Sequence, residues 1–129
     1  MLKALSIKQP WAYAILHLGK DIENRTWHTN YMGDLLVHAS KTVDEDALAR
    51  LRVHPDELAL GAVIGIVRMT GCTHKSDSKW FEGPWGFTLE NPRAFPEPVP
   101  CRGMLNFFKI EESAQEAILA QLRIANECR

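Results

Sequence analysis

The sequence predicts an α+β fold: a small curved sheet or barrel of five or six short strands, with helices inserted early and appended late. Three observations carry that expectation. Short apolar or alternating runs recur between turn residues, and helical periodicity is confined to three brief stretches. No repeat, low-complexity tract or linker rich in Gly, Ser or Pro divides the 129 residues. A chain of this length buries roughly two-thirds of its unfolded surface, so one domain needs neither metal nor disulfide as a staple.

The elements follow in order. Leu2 to Ile7 reads as a strand. Pro10 suits a first helical position, Trp11, Ala12, Ile15 and Leu16 keep helical spacing, and Gly19 suits the stop, which predicts a helix over about residues 10–18. Asp34 to Ala39 is a strand whose apolar middle implies burial on both faces. Thr42 and Glu45 match a capping box for a second helix to about Arg52. The run from Gly61 to Thr70 is the clearest strand, central and buried, with Gly65 marking a bulge or barrel bend. Trp85–Leu89 and Met104–Ile110 read as further strands. Pro92, Pro96, Pro98 and Pro100 make the stretch between them a surface loop. Ser113 and Glu116 form a second capping box, opening a helix over about residues 113–126 with a stripe of Ala114, Ala117, Ile118, Gln121 and Leu122. This helix is expected to dock outside the barrel and to carry no chemistry.

Composition narrows the function. Apolar residues at 46% and charged residues at 24% are ordinary globular proportions, and no apolar run approaches the roughly 20 residues of a membrane span. No membrane partner is expected. The start of the chain lacks a secretory pattern, and Cys72, Cys101 and Cys128 are odd in number and widely spaced. Both point to a reducing, cytoplasmic setting. A net charge of −1 excludes a polycationic nucleic-acid arm and favours a short ligand over a long duplex. Residues 1–41 are mildly basic (Lys3, Lys8, Lys20, Arg25 and Lys41 against Asp21, Glu23 and Asp34), whereas the tail is mildly acidic. No Walker loop, dinucleotide fingerprint, nucleophile elbow or paired Cys/His spacing occurs, so no cofactor and no metal are expected; Cys72, His74 and Cys101 lack ligand spacing.

The densest polar cluster is Gly19 to His28. In an extended Ile22–Thr26 segment, Glu23 and Arg25 point to one side, Ile22 and Asn24 to the other, and Lys20 converges from the preceding turn. Such a group binds an anion, positions water or moves a proton; it can equally be an internal salt-bridge set. Trp27 is the best stacking candidate of the four tryptophans, Trp11 on the first helix is expected to face the barrel, and His38 reads as a satisfied core histidine.

Leu5-Ser6-Ile7-Lys8-Gln9-Pro10-Trp11-Ala12 followed by Gly19-Lys20-Asp21-Ile22-Glu23-Asn24-Arg25-Thr26-Trp27 resembles the ASCH family, the activating signal cointegrator homology domains. The likeness continues through Gly33–Ser40, Gly61–Gly65, Gly83–Phe87 and Pro98–Gly103, so it spans about residues 4–110 and leaves residues 111–129 as an added helix on the same domain. Lys20, Glu23 and Arg25 match the family pattern; Leu18 stands where a glycine is usual, with Gly19 beside it. The resemblance implies a PUA-like β-barrel with a cleft beside the first helix. It also implies action on RNA or nucleotides. Some stand-alone members are hydrolases, a ribonuclease and an amidohydrolase on acetylated cytidine among them. In that amidohydrolase a threonine follows the catalytic lysine by three positions; Glu23 holds that place here, so its lysine–threonine mechanism does not carry over.

The leading expectation is therefore RNA or nucleotide recognition in a cleft lined by Lys8, Trp11, Lys20, Asn24, Arg25, Trp27, Ser40 and Lys41. The alternatives are a metal-independent hydrolase in which Lys20 stabilises developing charge and Glu23 is the general base, and a small protein-interaction domain. Base identity and oligomeric state are not legible.

Overall fold

The computed structural model describes residues 2–127. In chain order its elements are β1 (Lys3–Gln9), α1 (Trp11–His17), β2 (Ile22–Arg25), β3 (Gly33–Val43), α2 (Glu45–Leu51), a 3-10 turn (Pro55–Glu57), β4 (Ala62–Thr73), β5 (Trp85–Pro100), β6 (Phe107–Phe108) and α3 (Glu112–Glu127). The six strands form one mixed sheet in the order β2-β5-β4-β3-β1-β6. Only β1 and β3 run parallel; every other pairing is antiparallel. The sheet curls into a half-barrel, and its edges approach through side chains: Trp27, just after β2, meets Phe107 of β6 edge-on at 5.3 Å. No helix among the described residues is long and apolar enough to cross a membrane.

Two apolar clusters hold the curl. One lies under α1, where Ala12 and Ile15 pack with Leu5, Leu35, Val37, Val67, Met69 and Phe87. The other lies under α3, where Ala114, Ile118, Leu122 and Ala125 cover Ile66, Phe95 and Val99. β3 is central and is buried from Leu35 to Ala39, as its apolar run predicts. β4 spans the predicted strand, and its register slips at Ile64 against both neighbours, so the bulge sits beside Gly65. A Cβ on Gly65 would lie 2.7 Å from the Arg93 carbonyl and from Leu16 of α1. Glycine there lets the first helix touch the sheet.

Four local expectations are corrected. Residues 92–100 are strand, not loop. Their prolines are tolerated because β2 pairs only with residues 85–88 of β5, leaving the far edge without demand for ladder donors. Pro92, Pro96, Pro98 and Pro100 are all exposed, while Phe95 and Val99 point inward. The second helix starts later than the Thr42 box suggests, because β3 extends to Val43 to pair with Gln9; Asp44 caps instead, accepting from Ala47 N at 3.1 Å. α3 starts earlier, at Glu112, so Ser113 lies inside it, and Ala117 of the expected stripe is exposed. The strand expected over Met104–Ile110 shrinks to Phe107–Phe108, since Asn106 turns left-handed (φ 59°) and breaks the extended run.

Candidate functional site

α1 is capped by Leu18, and Gly19 then takes φ 75°, which lets Lys20 N reach back to the Ala14 carbonyl at 3.1 Å. That turn throws the Lys20 side chain into a cleft instead of along the helix. In β2, residue alternation brings Glu23 and Arg25 to the same side. Lys20 Nζ lies 3.0 Å from Glu23 Oε1 and donates also to the Ile22 carbonyl. Arg25 donates from Nε to Glu23 Oε2 at 3.2 Å and from Nη2 to the Ser6 carbonyl at 2.9 Å. Lys20 and Glu23 are buried, at 4% and 8% exposure, while Arg25 is half-buried. Lys20 is a walled-in cation whose charge is met by Glu23.

This trio lines an open cleft of about 1480 Å³. Lys8, Trp11, Asn24, Ser40 and Lys41 line it as well; Trp27 does not. Trp27 packs edge-on against Phe87 and Phe107 in the apolar cluster, the commoner fate of a large aromatic. Asn24 is committed to the loop opposite, donating to the Trp80 carbonyl and accepting from the amides of Glu82 and Gly83. Trp11 donates from Nε1 to Asp44 Oδ2 at 3.3 Å, with Lys20 and Arg50 within 6 Å of its ring. Ser40 closes a turn by accepting from Thr42 N at 2.9 Å.

Sequence reasoning missed four contributors. Arg50, Lys79, Arg102 and Trp80 reach the cleft from α2, from the loop before β5 and from the loop after it. No local pattern marks them, because they meet only through the tertiary fold. With them, seven lysines and arginines line the cleft against four acids. Three of those acids are already engaged: Glu23 and Asp44 as described, and Glu111, whose Oε1 accepts from Arg102 N at 3.0 Å.

Ser6 and His38, register partners on β1 and β3, complete the floor. His38 Nε2 lies 2.9 Å from the Cys101 carbonyl, and Nδ1 lies 3.0 Å from Ser6 Oγ. Burial pushes the His38 pKa below its ordinary 6.5, partly opposed by the Cys101 hydrogen bond. His38 is thus a satisfied histidine, yet it stands at the cleft. Among the described residues no three His, Cys, Asp or Glu side chains gather as a metal would need.

The ASCH domain family model matches residues 5–122, which takes in all but the first two residues of the sheet and most of α3. The chain belongs to the ASCH domain family. It is 22% identical over 132 aligned positions to human activating signal cointegrator 1, an alignment covering 87% of this chain. The chain spans only 23% of that relative's length. The crystal structure of ASCH from Zymomonas mobilis superposes with a TM-score of 0.59 at 12% identity, covering 92% of this chain and 94% of that one. A point mutant of the same bacterial protein gives 0.58 at 12% identity, with 92% and 96% covered. At such identity the likeness supports the ASCH fold alone.

Proposed function

We propose that the cleft binds a short stretch of single-stranded RNA or a nucleotide. The observation that carries this reading is the local charge: a chain of net charge −1 gathers seven cations against four acids in one concavity. The five cations beyond the buried trio, Lys8, Lys41, Arg50, Lys79 and Arg102, are exposed and meet no carboxylate among the described residues. Those groups are free to meet phosphates. Trp11 and Trp80 line the same cleft with Arg50 and Lys79 over their rings at 5.7 and 5.2 Å, and a base stacked on such an indole is worth about 1–3 kcal/mol. The family's general association with RNA supports the same ligand class.

Fluorescence anisotropy with a short labelled single-stranded RNA, titrated across ionic strength, tests the reading. Affinity should fall with salt in proportion to the phosphates contacted. The triple variant Lys41→Gln, Arg50→Gln, Arg102→Gln should weaken binding by about tenfold or more and flatten the salt slope. Unchanged affinity in that variant would sink the proposal.

A hydrolase reading rests on one observation, a buried carboxylate, Glu23, lining an open cleft. Both of its oxygens already accept from cations, so acting as a base requires giving up one such bond. Glu23→Gln decides between the two. An enzyme loses turnover of RNA or of a modified nucleoside while binding persists; a recognition module shows no turnover, with chelator present, in either form.

A further inference from the structure

The Ser6–His38 pair has a polarity that its own partners determine. A carbonyl only accepts, so the 2.9 Å contact to the Cys101 oxygen places a proton on His38 Nε2. In the neutral ring Nδ1 is then an acceptor, and the hydroxyl of Ser6 must supply the proton in the 3.0 Å contact between them. Burial of the ring favours that neutral form. Ser6 has only one hydroxyl proton. With it committed to His38, Oγ offers the cleft lone pairs and no donor.

The surroundings hold the pair in place. His38 is 2% exposed and meets the Phe108 ring edge-on at 5.7 Å. Gly103 closes over both partners: a Cβ there would lie 2.6 Å from His38 Cε1 and 3.0 Å from Ser6 Oγ. Ser6 itself is only partly buried and lines the cleft, so a ligand atom reaches the hydroxyl from the cleft side and not past Gly103. Arg25 donates to the Ser6 main-chain carbonyl and so fixes the strand that carries the hydroxyl.

We propose that Ser6, oriented by His38, is a fixed hydrogen-bond acceptor in the cleft that selects bases carrying an exocyclic amino group, adenine and cytosine, over their keto counterparts, hypoxanthine and uracil. The inference rests on the proposal that the cleft binds RNA or nucleotides. Each pair of bases has nearly the same shape and differs at one edge in donor against acceptor. Facing Ser6, the amino group gains a hydrogen bond, whereas the keto oxygen meets lone pairs and is left unsatisfied.

The test compares four short single-stranded homopolymers, of cytidine, uridine, adenosine and inosine, bound to the whole protein at neutral pH. The expected result is a preference for cytidine over uridine and for adenosine over inosine of about tenfold each. Ser6→Ala should bring both ratios to within about twofold of unity. His38→Phe should also erode them, because the hydroxyl regains the freedom to donate. The wild-type comparison needs no variant, so failure of a variant to fold leaves the proposal exposed to refutation. Binding without amino–keto discrimination overturns this inference and leaves the cleft reading intact. A preference that survives Ser6→Ala overturns it too. No binding of any polymer overturns the cleft reading and this inference with it.

Discussion

On the floor of the cleft, Lys20, Glu23 and Arg25 are drawn into direct contact, and both carboxylate oxygens are engaged. At the rim, Lys8, Lys41, Arg50, Lys79 and Arg102 are exposed, and none forms an ion pair among the described residues. The residue types are alike and their physics is opposite. Buried charges must be compensated, so the floor pairs internally and ties β2 to the end of α1 and, through the Ser6 carbonyl, to β1. Exposed charges need no partner, so the rim contributes little to stability and its field stays uncompensated. A basic cleft in a near-neutral protein is therefore two layers: an internally paired floor and an unpaired cationic rim.

The floor should yield the largest effects. Arg25→Ala leaves Glu23 with half its donors and the Ser6 carbonyl without its guanidinium, and should lower stability by about 3 kcal/mol, the scale for breaking a buried pair. Lys20→Ala should cost a similar amount, since Glu23 stays buried opposite an empty place. Chemical denaturation of each variant checks both. A change below about 1 kcal/mol would mean that the floor is not structural, and the two layers would merge into one.

Leu122→Ala provides the control from a region away from the cleft. Leu122 is 9% exposed in the stripe that α3 lays on β5, and its truncation should cost about 2–4 kcal/mol. Affinity for RNA measured on the folded fraction should not change. Weakened binding there would show that α3 does more than cover the sheet.

How far the sequence discloses this depends on the range of the cause. The turn at Gly19 and the alternation of Glu23 and Arg25 are local, so the convergence of Lys20, Glu23 and Arg25 is legible from spacing. The buried run of β3 and the bulge beside Gly65 are legible for the same reason. What is not legible comes from pairing across the chain. β5 continues through four prolines because its partner on one side ends at residue 88, a fact held in the sheet order and not in the prolines. Trp27 leaves the cleft because Phe107, eighty positions later, offers it a better surface. Ser6 gains its role only when β1 lies beside β3 and the Cys101 carbonyl fixes the histidine between them.

The next effect is a pH dependence from His38. Its folded-state pKa lies below the ordinary 6.5 because burial penalises the imidazolium, with the Cys101 hydrogen bond opposing. Between those two values the unfolded chain binds more protons than the folded one, so stability rises with pH through that window and is lost as pH falls below about 6.5. The melting temperature should drop on acidification toward pH 5. In His38→Gln, which can still donate to Cys101 and accept from Ser6, the drop should be shallower. Equal slopes in the two proteins would remove His38 as the cause.

The smallest stability effect belongs to the rim, and it is the sharpest test of the two layers. Lys8 and Lys41 are exposed and form no ion pair among the described residues, so Lys8→Gln and Lys41→Gln should each change stability by less than about 0.5 kcal/mol. Their effect should appear only against RNA. Each removes one cation from the cleft mouth, so each should weaken binding at low salt by a few-fold. Where the lysine meets a phosphate, its removal should also reduce the slope of log K against log salt by about 0.7. The floor variants should show the reverse order, with large losses of stability and, on the folded fraction, a salt slope changed less than at the rim. If Lys8→Gln or Lys41→Gln destabilises the protein as much as Arg25→Ala does, the rim is part of the scaffold. If neither alters salt dependence while RNA still binds, the ligand does not pass the cleft mouth, and the phosphate contacts lie on another face.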